Sequence, residues 1–289
     1  MMRPHAAILV AALCAARALA AVPAAGEAGP LPPSAPPPGR EFSSVRIRPP
    51  ARPPVSERQR DWAAWHAGRL RARAEALPAD GAHPFALSLW SGAQWPPPAE
   101  PVRGIGLGLL FLEDEARFRG AGFALGAQDL AFGDGLFAAG LVTSVEDLDG
   151  IALAGLATGG RFRGAQIAGL FNFGYGQGVQ AALLANGPRL YESADADYSA
   201  VPLDGVQIAF LGNAAHRLRG AQFALGLNVA DSCEGAQFAL LYNRADRLCG
   251  LQVGLVNRAR SGTGVQIGLL NGFGSGADER WLPFVNVRF

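Results

Sequence analysis

The sequence predicts an all-β repeat protein, a parallel β-solenoid (β-roll) of about eleven coils of 14–16 residues. Three observations carry this expectation. First, one unit is written four times in a row between Gly220 and Asn271: GAQFALGLNVADSCE, GAQFALLYNRADRLC, GLQVGLVNRARSGT and GVQIGLLN. A period this short makes each unit one structural step, stable only when stacked on its neighbours. Second, the opening glycines Gly104, Gly120, Gly135, Gly150, Gly164, Gly178, Gly205, Gly220, Gly235, Gly250 and Gly264 recur at steps of 14 to 16 residues, with one step of 27. Third, every unit and every connection is alike. Antiparallel neighbours need turns at opposite ends and a hairpin period near twice the unit, whereas parallel stacking needs one kind of connection.

The columns of the array are read relative to the opening glycine. Position +1 is Ala, Val, Ile or Leu throughout, and position +4 is Ala or Gly. Position +2 is Gln in seven units: Gln166, Gln180, Gln207, Gln222, Gln237, Gln252 and Gln266. Asn follows at +7 or +8 as Asn172, Asn186, Asn213, Asn228, Asn243, Asn257 and Asn271. Stacked in register about 4.8 Å apart, these residues would form amide ladders, Gln over Gln and Asn over Asn, that satisfy buried amides coil by coil. No charge falls between positions 0 and +7 in any unit. The alternation of +1 and +3 against +2 predicts a strand with one buried face, with +3 inside and the charged connections outside. The small +4 residue marks a corner or a close backbone approach. The connections repeat Ala215, Ala230, Ala245 and Ala259, then Leu218, Cys233 and Leu248, as a chain wrapped round a core requires.

An antiparallel outer-membrane β-barrel of about 12–14 strands is the alternative. Its support is a unit of about nine apolar residues plus a turn, and a carboxyl terminus, Trp281 to Phe289, that alternates and ends in Phe. Against it, Leu often stands at both +5 and +6, as in Leu109-Leu110, Leu183-Leu184, Leu240-Leu241 and Leu269-Leu270. That spoils a clean lipid-out, lumen-in alternation.

Residues 1–20 read as a secretory signal: Arg3, an apolar run from Ala6 to Cys14, and the cleavage pattern Ala18-Leu19-Ala20. The run is too short to span a bilayer. Residues 21–55 form a Pro-rich spacer, with Pro36-Pro37-Pro38, Pro49-Pro50 and Pro53-Pro54. Residues 56–77 read as an amphipathic helix, opened by the capping box Ser56–Gln59 and closed by Pro78. Its Arg residues would suit an anionic membrane, but the apolar stripe is narrow and largely Ala, and the reading taken is that Trp62 and Trp65 pack on the end of the repeat domain. The β-repeat domain covers 84–289, beginning with the alternating strand Phe85–Trp90, and carries one insertion over 187–203.

Net charge is +1, and all 25 basic residues are Arg, without clustering. Nothing therefore recommends nucleic acid as a partner. His216 stands alone, without a second ligand at metal spacing. Gly104-Ile-Gly-Leu-Gly opens no helix, which argues against a dinucleotide loop. No nucleophile or metalloenzyme motif occurs, so no enzyme, cofactor or metal is expected. The insertion holds the one local hint of a contact site: Tyr191, Glu192, Asp195, Asp197 and Tyr198. Alternate oxygens suit Ca²⁺, but the glycine and terminal Glu of a calcium loop are missing, and a solvated acidic loop is the reading taken. After export, Cys233 and Cys249 are the two remaining cysteines. They fall in consecutive connections, which a solenoid brings close together, with side chains that can face opposite ways.

The units G-V-Q-I-G-L-L-N and G-L-Q-V-G-L-V-N resemble the repeats of bacterial surface-repeat envelope proteins, an exported Gram-negative group. The resemblance covers about Phe85 to Phe289. It is specific over Gly178–Asn271 and weaker over Gly104–Thr158, where Gln and Asn are mostly lost. It implies an exported protein of the cell envelope: outer membrane, periplasm or cell surface. The implied role is non-enzymatic, structural or adhesive, with envelope or surface components as partners and with membrane association and oligomer formation left open. A barrel would instead imply a channel or transporter-like protein. Gly-Val-Gln-Ile-Gly also looks like the coil motif of trimeric autotransporter adhesin heads, an analogy over a short match.

Overall fold

The computed structural model describes residues 81–188 and 202–289. The expected signal, spacer and amphipathic helix, and the contact residues Tyr191–Tyr198, lie outside the described residues.

The described chain is almost entirely strand. In order these are β1 (His83–Trp90), β2 (Ala93–Trp95), β3 (Val102–Gly108), β4 (Phe111–Asp114), β5 (Phe118–Ala124), β6 (Ala127–Ala139), β7 (Val142–Ala154), β8 (Ala157–Ala168), β9 (Phe171–Ala182), β10 (Ala185–Gly187), β11 (Leu203–Ala209), β12 (Gly212–Ala224), β13 (Leu227–Ala239), β14 (Tyr242–Val253), β15 (Val256–Phe273) and β16 (Arg280–Arg288). One 3-10 turn, Gly276–Asp278, is the sole helical element among the described residues.

The strands from β3 to β15 pair in parallel, each with the next coil, in one continuous ladder. Register follows the repeat: Gly220 faces Gly235, Gln222 faces Gln237, and Asn213 faces Asn228. The protein is therefore a parallel β-solenoid of about eleven coils. This overturns the barrel alternative, whose walls need antiparallel neighbours. The carboxyl-terminal Trp281–Phe289 is not the closing strand of a barrel. It lies in β16, which pairs antiparallel with β15 and caps the last coil. At the other end β1 extends the parallel ladder and β2 folds back on it antiparallel. Capping matters because an open ladder end presents unpaired backbone groups to other chains.

Each coil turns twice. One turn is the pair at +5 and +6, where Leu240 and Leu241 link β13 to β14. The other bend falls in the charged stretch, where pairing skips His216, Asp231, Asp246 and Arg260. The insertion leaves from this charged side. The coil it interrupts is completed by β10 and β11, which both pair with β9 below and β12 above.

The opening glycines have a steric cause. At Gly235 (φ +144°) a Cβ would meet the carbonyl oxygen of Gly220 in the preceding coil, and Gly220 stands in the same relation to Gly205. Only a residue without a side chain stacks on itself at this point. The small +4 column is likewise a close approach: at Gly268 a Cβ would strike Gly254.

The interior differs from the expectation at one column. Position +3 does not point inward. Phe223 is 40% exposed, Ile208, Ile167 and Ile267 are exposed too, and Phe238 and Val253 are half-buried. The opposite side of the strand is buried, and it carries Gln at +2. Alternation located the strand correctly but not its inside. Apolarity was assigned to the core, whereas here the amides satisfy one another and leave the apolar residues outside. The repeated small and apolar residues of the connections do enter the core: Ala230, Ala245, Ala259, Leu218, Cys233 and Leu248 are buried. Toward the amino terminus the core becomes aromatic. Phe118 and Phe137 meet edge to face at 5.5 Å, and Phe162, Leu112, Leu130 and Leu148 complete it. Gly106 and Gly122 take the +2 column there because a Cβ would run into the Phe118 and Phe137 rings.

Candidate functional site

The expected ladders are present and continuous. Each Gln Nε2 donates to the Gln Oε1 of the preceding coil, from Gln266 through Gln252, Gln237, Gln222, Gln207 and Gln180 to Gln166, at 2.7–2.9 Å. The Asn column runs the other way. Asn172 donates to Asn186, and so on through Asn213, Asn228, Asn243 and Asn257 to Asn271, at 2.7–3.0 Å. Remaining amide hydrogens cross the coil. Asn228 Nδ2 also donates to Phe238 O at 2.8 Å, and Gln237 Nε2 to Arg244 O at 3.2 Å. Each amide thus ties one flank of the coil to the other across the Leu turn. Buried amides must be paired, and here each pairs with its copy.

The ladders end in defined ways. Thr158 Oγ1 donates to Asn172 Oδ1 and starts the Asn column. Asn271 ends it on Gly268 O at 2.9 Å and Leu282 O at 3.3 Å in the capping strand. Gln266 Oε1 at the carboxyl-terminal end has no partner among the described residues.

With amides inside, the outer surface divides lengthwise. On one side lie positions +1, +3, +5 and +6, all uncharged. Ile167, Ile208, Phe223 and Ile267 form the +3 column, and Phe223 and Phe238 stack at 5.0 Å with planes 4° apart. The turn is more exposed still, with Leu125 at 72% and Leu240 at 64%. A shallow open groove runs between these columns across six coils, from Ala182 and Leu183 to Ile267 and Leu269. Soluble monomers rarely expose contiguous apolar patches beyond a few hundred Å². Sequence reasoning placed the +3 column in the core and assigned the doubled Leu no face. The available signal was the charge-free span from 0 to +7 together with the doubled Leu.

The opposite side carries the charges, in pairs between consecutive coils. Arg119 meets Asp134 at 2.9 Å, Arg163 meets Asp149 at 3.1 Å, Arg219 meets Glu234 at 3.3 Å, and His216 meets Asp231 at 2.9 Å. Both signs are interspersed along this side, and opposite charges offset one another between coils.

Asp114 is the exception inside, and sequence reasoning missed it. It is 2% exposed. Its Oδ1 accepts the Ala116 N–H at 2.7 Å, while Oδ2 has no partner among the described residues. Burial pushes its carboxyl up to about 7. Cys233 faces the core and Cys249 faces out, both as free thiols, although Glu234 pairs with Cys249 across adjacent coils. The backbones are neighbours and the side chains diverge. Burial pushes the Cys233 thiol up to about 12.

Among the described residues no three His, Cys, Asp or Glu side chains group to hold a metal, and no helix is long and apolar enough to cross a membrane. No protein-family model, curated protein or solved structure matches the chain.

Proposed function

We propose that this is an exported, non-enzymatic repeat protein of a Gram-negative cell envelope, with a structural or binding role. The observation that carries the reading is the uncharged outer side of the solenoid, which runs the length of the array as Ile, Phe and Leu columns. A surface of this kind is a contact surface, because leaving it in water is costly. The repeat G-x-Q-φ-[GA]-L-x-N and the likeness to surface-repeat envelope proteins support the same reading, as does the signal-like stretch of residues 1–20. Outer membrane, periplasm and cell surface all suit it. The channel reading needs barrel walls, and parallel coils do not supply them.

Cell fractionation of the native chain, with amino-terminal sequencing of the recovered protein, tests this. The expected product is in the envelope fraction and starts at Ala21. Protein that stays in the cytosol and still carries Met1 or Met2 would overturn the proposal.

A further inference from the structure

We propose that the partner of the apolar side is the hydrocarbon edge of a lipid bilayer. The Leu turn then dips into the membrane interface with the solenoid axis parallel to the membrane plane. This deepens the contact-surface reading above and rests on it.

Shape is the first argument. Within the repeat coils the most exposed apolar residues, Leu125, Leu240 and Leu183, stand at the turn and not on a flat flank. The uncharged zone wraps this convex edge, from +1 on one flank round to +7 on the other. A second copy laid flank to flank would cover +1 and +3 and leave the Leu edge in water. Acyl chains flow round an edge and cover all of these positions.

The caps supply the second argument. A solenoid made for solution ends in capping elements with polar outer faces. Here both caps continue the apolar columns in sequences that do not follow the repeat. Phe85 and Leu87 in β1 lie beside Ile105 and Leu107, and Val287 and Val285 in β16 lie beside Val265 and Ile267. All four cap residues are exposed, as are Trp90 at one end and Trp281 at the other. Trp is the side chain that prefers the membrane–water boundary.

Charge completes the case. The charges lie at the far edge of the coil, where many of them pair with one another between coils. The surface therefore has no need of an acidic or basic partner, and burial of leucine supplies the attraction, at depths typical of interfacial segments, roughly 5–10 Å.

The exported chain, as it accumulates in cells, is mixed with neutral phosphatidylcholine vesicles and floated on a density gradient. It is expected to float, equally well from about 0.05 to 0.5 M salt. A triple variant, Leu225→Glu, Leu240→Glu and Leu255→Glu, changes three exposed turn residues and is expected to keep the wild-type circular dichroism. Its vesicle affinity should fall at least about tenfold. A second triple set, Leu125→Glu, Leu141→Glu and Leu156→Glu, repeats the test at the other end of the array should the first set disturb folding. Three results would overturn the proposal: a chain that stays in solution, a stable dimer that ignores vesicles, or binding confined to anionic vesicles and lost in salt. An envelope location retained alongside any of these leaves the broader reading standing and removes the lipid edge alone.

Discussion

A single carbonyl oxygen decides the opening glycine of each unit. Gly235→Ala places a Cβ against Gly220 O, backbone on backbone with nothing flexible to yield. The expected cost is on the order of 3 kcal/mol or more, from positive φ and overlap together. A denaturation midpoint equal to wild type would disprove it. The two thiols differ for an equally local reason. In the chain starting at Ala21, a thiol reagent should modify one cysteine in the native state and two after denaturation, because Cys249 is exposed and Cys233 is buried with its thiol pushed up to about 12. Asp114 sets a pH dependence. Burial holds its carboxyl at about 7 in the folded chain, well above the ordinary aspartate range. Its ionisation therefore opposes folding: the favourable contribution is complete below about pH 4 and is lost as pH rises through about 7. Asp114→Asn should raise the melting temperature at pH 8 and change it little at pH 4. Equal shifts at both pH values would remove Asp114 as the cause. None of this burial is visible in the stretch Leu112-Glu113-Asp114-Glu115, where nothing sets Asp114 apart from its two carboxylate neighbours.

At the scale of the coil, the ladder is a set of mutual obligations. Gln237 donates to Gln222 and accepts from Gln252. Gln237→Leu has a similar volume but strands an acceptor in one coil and a donor in the next. The expected loss is roughly 2–6 kcal/mol, about 1–3 for each of the two unpaired buried groups. Melting within a few tenths of a kcal/mol of wild type would mean water enters the ladder. Phe223→Asp points outward and should cost about 1 kcal/mol or less, chiefly its stack on Phe238. The strand, the coil length and both ladders were legible in the sequence, because period and column identity survive without coordinates. Which side of the strand faces in was not. A stacked Gln is indistinguishable in sequence from a solvated one, and hydrophobic periodicity then assigns the wrong face to the core.

Across the molecule the core changes character, from Phe and Leu in the early coils to amides from Gln166 onward. The lost Gln and Asn of Gly104–Thr158 signalled that change in the sequence, but Gly106 and Gly122 making room for Phe118 and Phe137 could be read only from contacts between coils. The caps were legible as strands at Phe85–Trp90 and Trp281–Phe289, although the latter matched a barrel terminus equally well. Alternation alone does not say whether a final strand closes a wall or covers an end.

The opposed direction of the two ladders bears on how such a chain can change in length. An α-helix sums its peptide dipoles and gains charge at its ends. Here the Gln amides point their oxygens toward the carboxyl-terminal end and the Asn amides toward the amino-terminal end, so each coil is close to electrically balanced. In-frame duplication of residues 235–249 therefore adds a layer without building a potential along the axis. Deleting a layer releases none. The amide dipoles therefore set no preferred number of coils between the two caps.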